Sequence, residues 1–335
     1  MPYVIDNFDD TIDGFFAKAG ASLSREKCDE FARRRYGGEI RPVDNQRANS
    51  YTITAGPSSS KIIQFRAEND LLDTRMLRLA KAVHTAVVAD CLHLGWIGNP
   101  DDGPQLAIYE MDRLPGEKYV IARDSHKHDR RLNTVHSLAR FFAQSWQNSL
   151  PQSSKLVNMS AIMAECYARF WALARALPPR FRPAVAEVQD ALVALLDPSS
   201  RYPLVLTHSD LKAMNMLVDP ESGNITGVAD WASASILPFG FGLYALANVF
   251  GKMDRDGWKW FDDADELRGA FWRVFGELTG LEQDGPQMRL VKVAEKGGIL
   301  IRYGTIWDSK FSGMVGCRDP HDFGGDFEYL DALLL

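Results

Sequence analysis

Two early stretches, TIDGFFAKAG and REKCDEFARR, carry apolar residues at helical spacing, which predicts helix up to about Phe31. The pattern then shortens. EIRPV, SYTITAG and KIIQFRA are brief, β-branched and bounded by polar turns, and so are predicted strands. The first two flank the polar loop Asp44-Asn45-Gln46-Arg47-Ala48-Asn49, and the last two flank GPSSS, a turn signal. DLLDTRMLRLAKAVHTAVV returns to the helical period, and LAIYEMDRLPGE predicts a strand running into a Pro-Gly turn. From about Asn133 helices dominate, in NTVHSLARFFAQSW, NMSAIMAECYARFWALARAL and RPAVAEVQDALVALL, then over residues 266–279 and 287–303. PFGFGLYALANVFG, from Pro238, reads as a buried helix, and the tail from Ser309 as irregular.

The order predicts an α+β protein. A small strand-rich part (residues 1–112) is followed, through a connector near 110–116, by a larger helical part (113–335). With 335 residues, 46% hydrophobic and 24% charged, the chain can bury a core without staples. Its four cysteines form no C-x-x-C pair and are expected to be buried or free thiols, not zinc ligands. The net charge of −6 argues against a nucleic-acid partner. The N-terminus has neither basic leader nor apolar segment, and no apolar run approaches the ~20 residues that span a bilayer. The expectation is a soluble, cytoplasmic protein with no membrane partner and no evident obligate protein partner.

The chemistry concentrates in LVLTHSDLKAMNMLVDPESGNITGVADW, from Leu204 to Trp231. A polar run sits between two apolar stretches that read as strands. Moving the terminal phosphoryl group of a nucleotide requires oxygen ligands for magnesium, a group to accept the acceptor's proton, and a cation near the moving phosphoryl. Each is offered here. Asp210, two residues after His208 and five before Asn215, is the candidate base. Lys212 is the candidate cation, His208 a brace for the loop, and Asn215 and Asp230 the candidate metal ligands. A hairpin with a polar turn explains any one of these residues, but not the joint spacing.

With its extension, LTHSDLKAMNMLVDPESGNITGVADWASASILPFG resembles the phosphotransferase family of aminoglycoside kinases and choline-kinase-like enzymes, whose run is H-G-D-x-x-x-x-N followed by I-D-W. DWASASILPFGFGLYAL is similar to a branch common in fungal genomes, and SYTITAG, IIQFR and ARFFAQSW are similar to that branch more weakly. The resemblance implies a bilobal protein-kinase-like fold with a small β-rich N-lobe and a larger, mainly helical C-lobe. It also implies ATP and Mg²⁺ between the lobes, and a small-molecule acceptor whose hydroxyl is phosphorylated.

The small lobe departs from the pattern. DNQRANS has no glycine where a phosphate-covering loop is expected, although Asn and Ser50 can still donate. The third-strand lysine of kinases falls on Gln64, with Arg66 on the same face, and the partner glutamate falls near Arg75. Either Arg66 replaces the lysine and pairs with Asp73 or Glu68, or the ion pair is absent. Backbone groups near Glu110 and Asp112 are expected to take the adenine. The missing Lys–Glu pair leaves a rival: a kinase fold repurposed for binding or other chemistry. A protein kinase is disfavoured because ADW stands in place of D-F-G and no A-P-E follows.

Two further features stand apart. SHKHD (125–129) reads as a solvated connection rather than a metal cluster. Trp258, Trp260, Phe261, Phe323, Phe327 and Tyr329 suit a pocket for a partly apolar acceptor.

Overall fold

A computed structural model describes residues 8–19, 23–44, 46–307, 314–317 and 326–335. These residues divide into two compact units. One holds those up to Lys81 together with Val88–Leu114, and the other Ala82–Val87 together with those from Pro115 onward.

The first unit begins with helices α1 (Phe8–Ala19) and α2 (Arg25–Tyr36). Strands β1 (Arg41–Pro42), β2 (Ser50–Ala55) and β3 (Lys61–Ala67) follow, then helix α3 (Thr74–Val83) and strands β4 (Cys91–Ile97) and β5 (Leu106–Asp112). The sheet is antiparallel, in the order β1-β2-β3-β5-β4. Alternation along β2 and β3 sends Tyr51, Ile53, Ile63 and Phe65 into a core with Ile12, Phe15, Cys28 and Ala32 of the helices. Ser50, Thr52, Gln64 and Arg66 consequently share the opposite face.

The second unit contains β6 (Glu117–Lys118), α4 (Tyr119–Ala122), α5 (His128–Gln147), α6 (Met159–Ala176), α7 (Arg182–Leu196) and β7 (Leu204–Thr207). Next come β8 (Met216–Val218), β9 (Ile225–Val228), β10 (Ser235–Pro238), α8 (Ala247–Phe250), β11 (Gly251–Asp254) and β12 (Gly257–Trp260). It closes with α9 (Ala264–Thr279), α10 (Pro286–Gly304), β13 (Thr305–Trp307), β14 (Met314–Cys317) and α11 (Asp326–Leu334). Buried aromatic rings pack against α9: Phe142 of α5 lies edge-on to Phe271, and Phe239, just after β10, stacks on Phe275 with ring centres 5.4 Å apart. No described helix is long and apolar enough to cross a membrane.

Several expectations need correction. EIRPV contributes only the two-residue β1. Cys91–Ile97, in which no element was expected, is an edge strand whose outward Leu92 and Trp96 blur the alternation. The stretch from Pro238 is not one helix: it ends β10, then turns through a 3₁₀ segment, Leu243–Leu246, into the single turn of α8. Gly240, at φ 106°, and the tight backbone around it break the helical path. The described parts of the tail form β14, which pairs with β13, and α11 instead of an irregular segment. Cys28, Cys91 and Cys166 are free, and the side chain of Cys317 lies outside the described part. Asn45 and Phe323 also lie outside it.

Candidate functional site

β7 delivers the polar run. It pairs with β10 in the register Thr207–Ser235, so the chain leaves the sheet at His208 with its direction set. Ser209 then adopts a left-handed backbone (φ 60°), its hydroxyl 2.9 Å from that of Ser235. Non-glycine residues seldom occupy this region, and such strain persists only where surrounding contacts impose it.

Those contacts are local. His208 Nδ1 accepts the Asp210 N–H at 3.2 Å, which places the ring proton on Nε2, 2.8 Å from the Ala229 carbonyl. One neutral imidazole thus ties the loop to the residue before Asp230. Asn215 Nδ2 donates to the Asp210 carbonyl at 2.8 Å and to Asp210 Oδ2 at 3.1 Å. The Asn215 carbonyl accepts from Ala229 N at 2.9 Å, joining β8 to the end of β9. Tyr244 Oη accepts the Leu211 N–H at 2.7 Å. Asp230 itself is left-handed, at φ 67° and ψ 60°, and the Trp231 indole N–H donates to Val228 O at 2.9 Å just behind it.

Asp210 is 2% exposed, and Asn215 and His208 are 4% exposed. A carboxylate this buried must be paired to stay charged. Lys212 Nζ lies 3.3 Å from Oδ2, and Arg302, from the last turn of α10, lies 3.0 Å from Oδ1. The structure therefore brings together His208, Asp210, Lys212, Asn215 and, through Ala229, Asp230.

Residues 52–290 of the chain match the model of the phosphotransferase enzyme family, known as APH. This chain belongs to that family. The phosphotransferase shares its fold with a Ralstonia eutropha protein described as an aminoglycoside phosphotransferase, at TM-score 0.56 and 14% identity over 84% of this chain and 88% of that one. A mutant aminoglycoside 2'-phosphotransferase-IIIa in complex with GDP matches at TM-score 0.50 and 14% identity, over 79% and 83%. No curated protein matches the sequence. The fold is accordingly the α+β, protein-kinase-like one.

In the phosphotransferase's first unit, Gln64, Arg66 and Ser50 do share a face. Gln64 Nε2 donates to Ser50 Oγ at 3.2 Å and Thr52 Oγ1 at 3.0 Å, while Arg66 donates to Gln64 Oε1 at 3.2 Å. Arg66 pairs with neither Asp73 nor Glu68. Its guanidinium binds Asp70 at 2.6 Å, because a 3₁₀ turn over Glu68–Asp70 brings that carboxylate back over the strand. Burial lowers the Arg66 pKa, opposed chiefly by Asp70. Asp73 instead binds Arg75 at 2.8 Å. The glycine-free loop is closed by Gln46, whose carboxamide donates to Thr52 O at 2.6 Å and accepts from Thr52 N at 3.0 Å.

The side chains of Glu110 and Asp112 occupy the other face of the sheet, where Lys61 Nζ reaches them at 3.0 and 2.7 Å. The adenine role expected for this stretch rests on backbone groups. The β4 ladder stops at Cys91–Met111, one residue short of Asp112.

Ser125, Lys127 and Asp129 of SHKHD are exposed, as a solvated connection would be, but His126 is 3% exposed and His128 Nδ1 lies 2.7 Å from Asp263. No group of three or more His, Cys, Asp or Glu that could hold a metal occurs among the described residues. Trp258 and Tyr329 do approach, with ring centres 5.4 Å apart, and Tyr329 stacks on Tyr303 at 4.4 Å.

Arg302, Tyr244 and His84 were not singled out from the sequence. His84 is wholly buried, with Nδ1 3.1 Å from Gln144 Oε1, Nε2 3.3 Å from Ser145 Oγ, and its ring stacked on Phe141. Burial lowers its pKa to about 4. Between the unfolded value near 6.5 and that folded value, only the unfolded chain binds the proton, so stability falls as pH falls. His84 alone should make the protein about 2 kcal/mol less stable at pH 5 than at pH 7. Urea unfolding at both pH values should show this difference shrinking in His84→Gln. An unchanged difference would assign the acid sensitivity elsewhere.

Proposed function

We propose that this phosphotransferase moves the terminal phosphoryl group of ATP, bound with magnesium, to a hydroxyl group of a small molecule. The observation that carries the reading is the buried Asp210 carboxylate, held at fixed geometry by Asn215 and two cations on the loop after β7. In the proposed step the acceptor oxygen attacks the γ-phosphorus and its proton passes to Asp210. The bond from that phosphorus to the bridging oxygen breaks, releasing ADP. Lys212 stands beside the transferring phosphoryl group, and His208 holds the loop.

Asn215 and Asp230 fit a magnesium ion. The Asn215 amide nitrogen is spent on Asp210, which turns its oxygen the other way as a hard ligand, and Asp230 adds a carboxylate. Magnesium takes few protein ligands alongside phosphate and water, which suits so sparse a set. When bound it offsets the charge of the phosphate oxygens. Gln64, Arg66 and Ser50 are proposed to hold nucleotide phosphate, and backbone groups of Glu110–Asp112 the adenine. The GDP complex of the relative supports nucleotide binding in this fold. A cytoplasmic setting accords with this use of ATP.

One observation favours the rival of a repurposed fold: Arg66 is already committed to Asp70. Calorimetry separates the two readings. Wild type should bind ATP in a magnesium-dependent way, Arg66→Ala should weaken binding by about tenfold or more, and Gln64→Ala by much less. A panel of small alcohols should then yield one that gains a single phosphate by mass. Absence of magnesium-dependent ATP binding in wild type would overturn the kinase reading. Tight binding that survives Arg66→Ala would remove only the role given to Arg66.

A further inference from the structure

Arg302 comes from outside the catalytic-loop run and beyond residue 290, where the family match ends. Its arrival at Asp210 is built into α10. Ala294, Gly298 and Arg302 lie four residues apart and so line one side of the helix. Ala294 packs against Gly240, where an added Cβ would come within 2.5 Å of the Ala294 methyl. A Cβ on Gly298 would lie 2.3 Å from the Phe241 carbonyl oxygen, so only glycine lets the helix backbone approach so closely. One turn further on, the Arg302 guanidinium reaches Asp210 Oδ1 at 3.0 Å, with its carbon 5.9 Å from the centre of the Tyr244 ring. Tyr244 in turn accepts the N–H of Leu211, next to Asp210.

We infer that Arg302 is a positioning residue for phosphoryl transfer: it pairs with Oδ1 of the Asp210 carboxylate, the oxygen that Asn215 and Lys212 do not engage, and so restrains the carboxylate and offsets its buried charge. This rests on the function proposed above. Asn215 and Lys212 both engage Oδ2, whereas Arg302 engages Oδ1, so the two oxygens of the carboxylate are held by different groups. A carboxylate free to swing away from the acceptor oxygen loses the alignment on which proton transfer depends.

The test uses the full chain with magnesium-ATP, with water or an alcohol that the enzyme phosphorylates as acceptor, and release of ADP as the readout. Arg302→Met should lower kcat by about 10–10²-fold with the KM for ATP changed less than about threefold, because the residue acts on Asp210 and not on nucleotide. Arg302→Lys should recover part of the loss. In an Asp210→Asn background, Arg302→Met should cost almost nothing more. Thermal unfolding of wild type, Arg302→Met, Asp210→Asn and the double variant needs no turnover and should show non-additive shifts. An Arg302→Met enzyme with wild-type kcat, a loss confined to KM, or additive unfolding shifts would each overturn the inference and leave the kinase reading standing. Wild type that binds no magnesium-ATP would remove both.

Discussion

Asp210→Asn is expected to reduce phosphoryl-transfer turnover by about 10²–10⁴-fold while leaving ATP affinity within a factor of about two. The asparagine keeps the shape of the side chain and cannot accept a proton. It also removes the negative charge that Lys212 and Arg302 face at 3.3 and 3.0 Å. With the carboxylate gone, the acceptor hydroxyl must attack with its proton still attached. Because Asp210 is proposed to act on the acceptor and not on the nucleotide, the loss should fall on kcat. Steady-state kinetics on the first acceptor found, with calorimetric titration of ATP alongside, separates the two parameters. Turnover near that of wild type would mean that another group takes the proton. A parallel loss of ATP affinity would mean that Asp210 belongs to the metal site instead.

The second large effect concerns Asp230. Asp230→Ala removes a carboxylate from the candidate magnesium site and should weaken magnesium-dependent ATP binding by at least about tenfold. Asp219 is the control because it lies in the same strand–turn–strand segment. Its Oδ1 accepts the N–H groups of Ser222 at 2.7 Å and Glu221 at 3.1 Å, and the Ser222 bonds lower its pKa. Asp219 therefore shapes the turn between β8 and β9. Asp219→Ala should loosen that turn and leave ATP binding unchanged. Calorimetry of both variants with magnesium and with chelator decides the matter, and equal losses in the two would place the metal elsewhere. A loss in Asp230→Ala that persists with chelator would point to backbone disturbance at this left-handed residue, whose φ is 67°.

The paired sheet face in the first unit and the loop in the second differ in how far they could be read ahead of the structure. SYTITAG alternates cleanly and KIIQFRA does so from Ile63 onward, so the common face of Ser50, Gln64 and Arg66 follows from a period of two. The ion-pair partner of Arg66 did not follow. Glu68, Asp70 and Asp73 are all within reach along the chain, and the 3₁₀ turn that selects Asp70 has no strong sequence signature. Cys91–Ile97 was missed for a related reason: an edge strand with outward Leu92 and Trp96 lacks the contrast that marks a half-buried strand. His126 was misjudged because its charged neighbours suggest solvent, whereas the fold buries it to 3% exposure.

By itself the sequence determined the family and the local design of the loop. His208, Asp210, Asn215, Ala229 and Asp230 lie within one short run, and the hydrogen bonds that set their geometry close inside it, so spacing alone carries the information. Only the tertiary structure decided what surrounds that loop. Arg302 reaches Asp210 because Gly298 lets α10 press against the Phe241 backbone, and His84 is neutral because packing against Phe141 removes it from water. Both depend on the close approach of segments distant in the chain, and no short-range periodicity records such an approach.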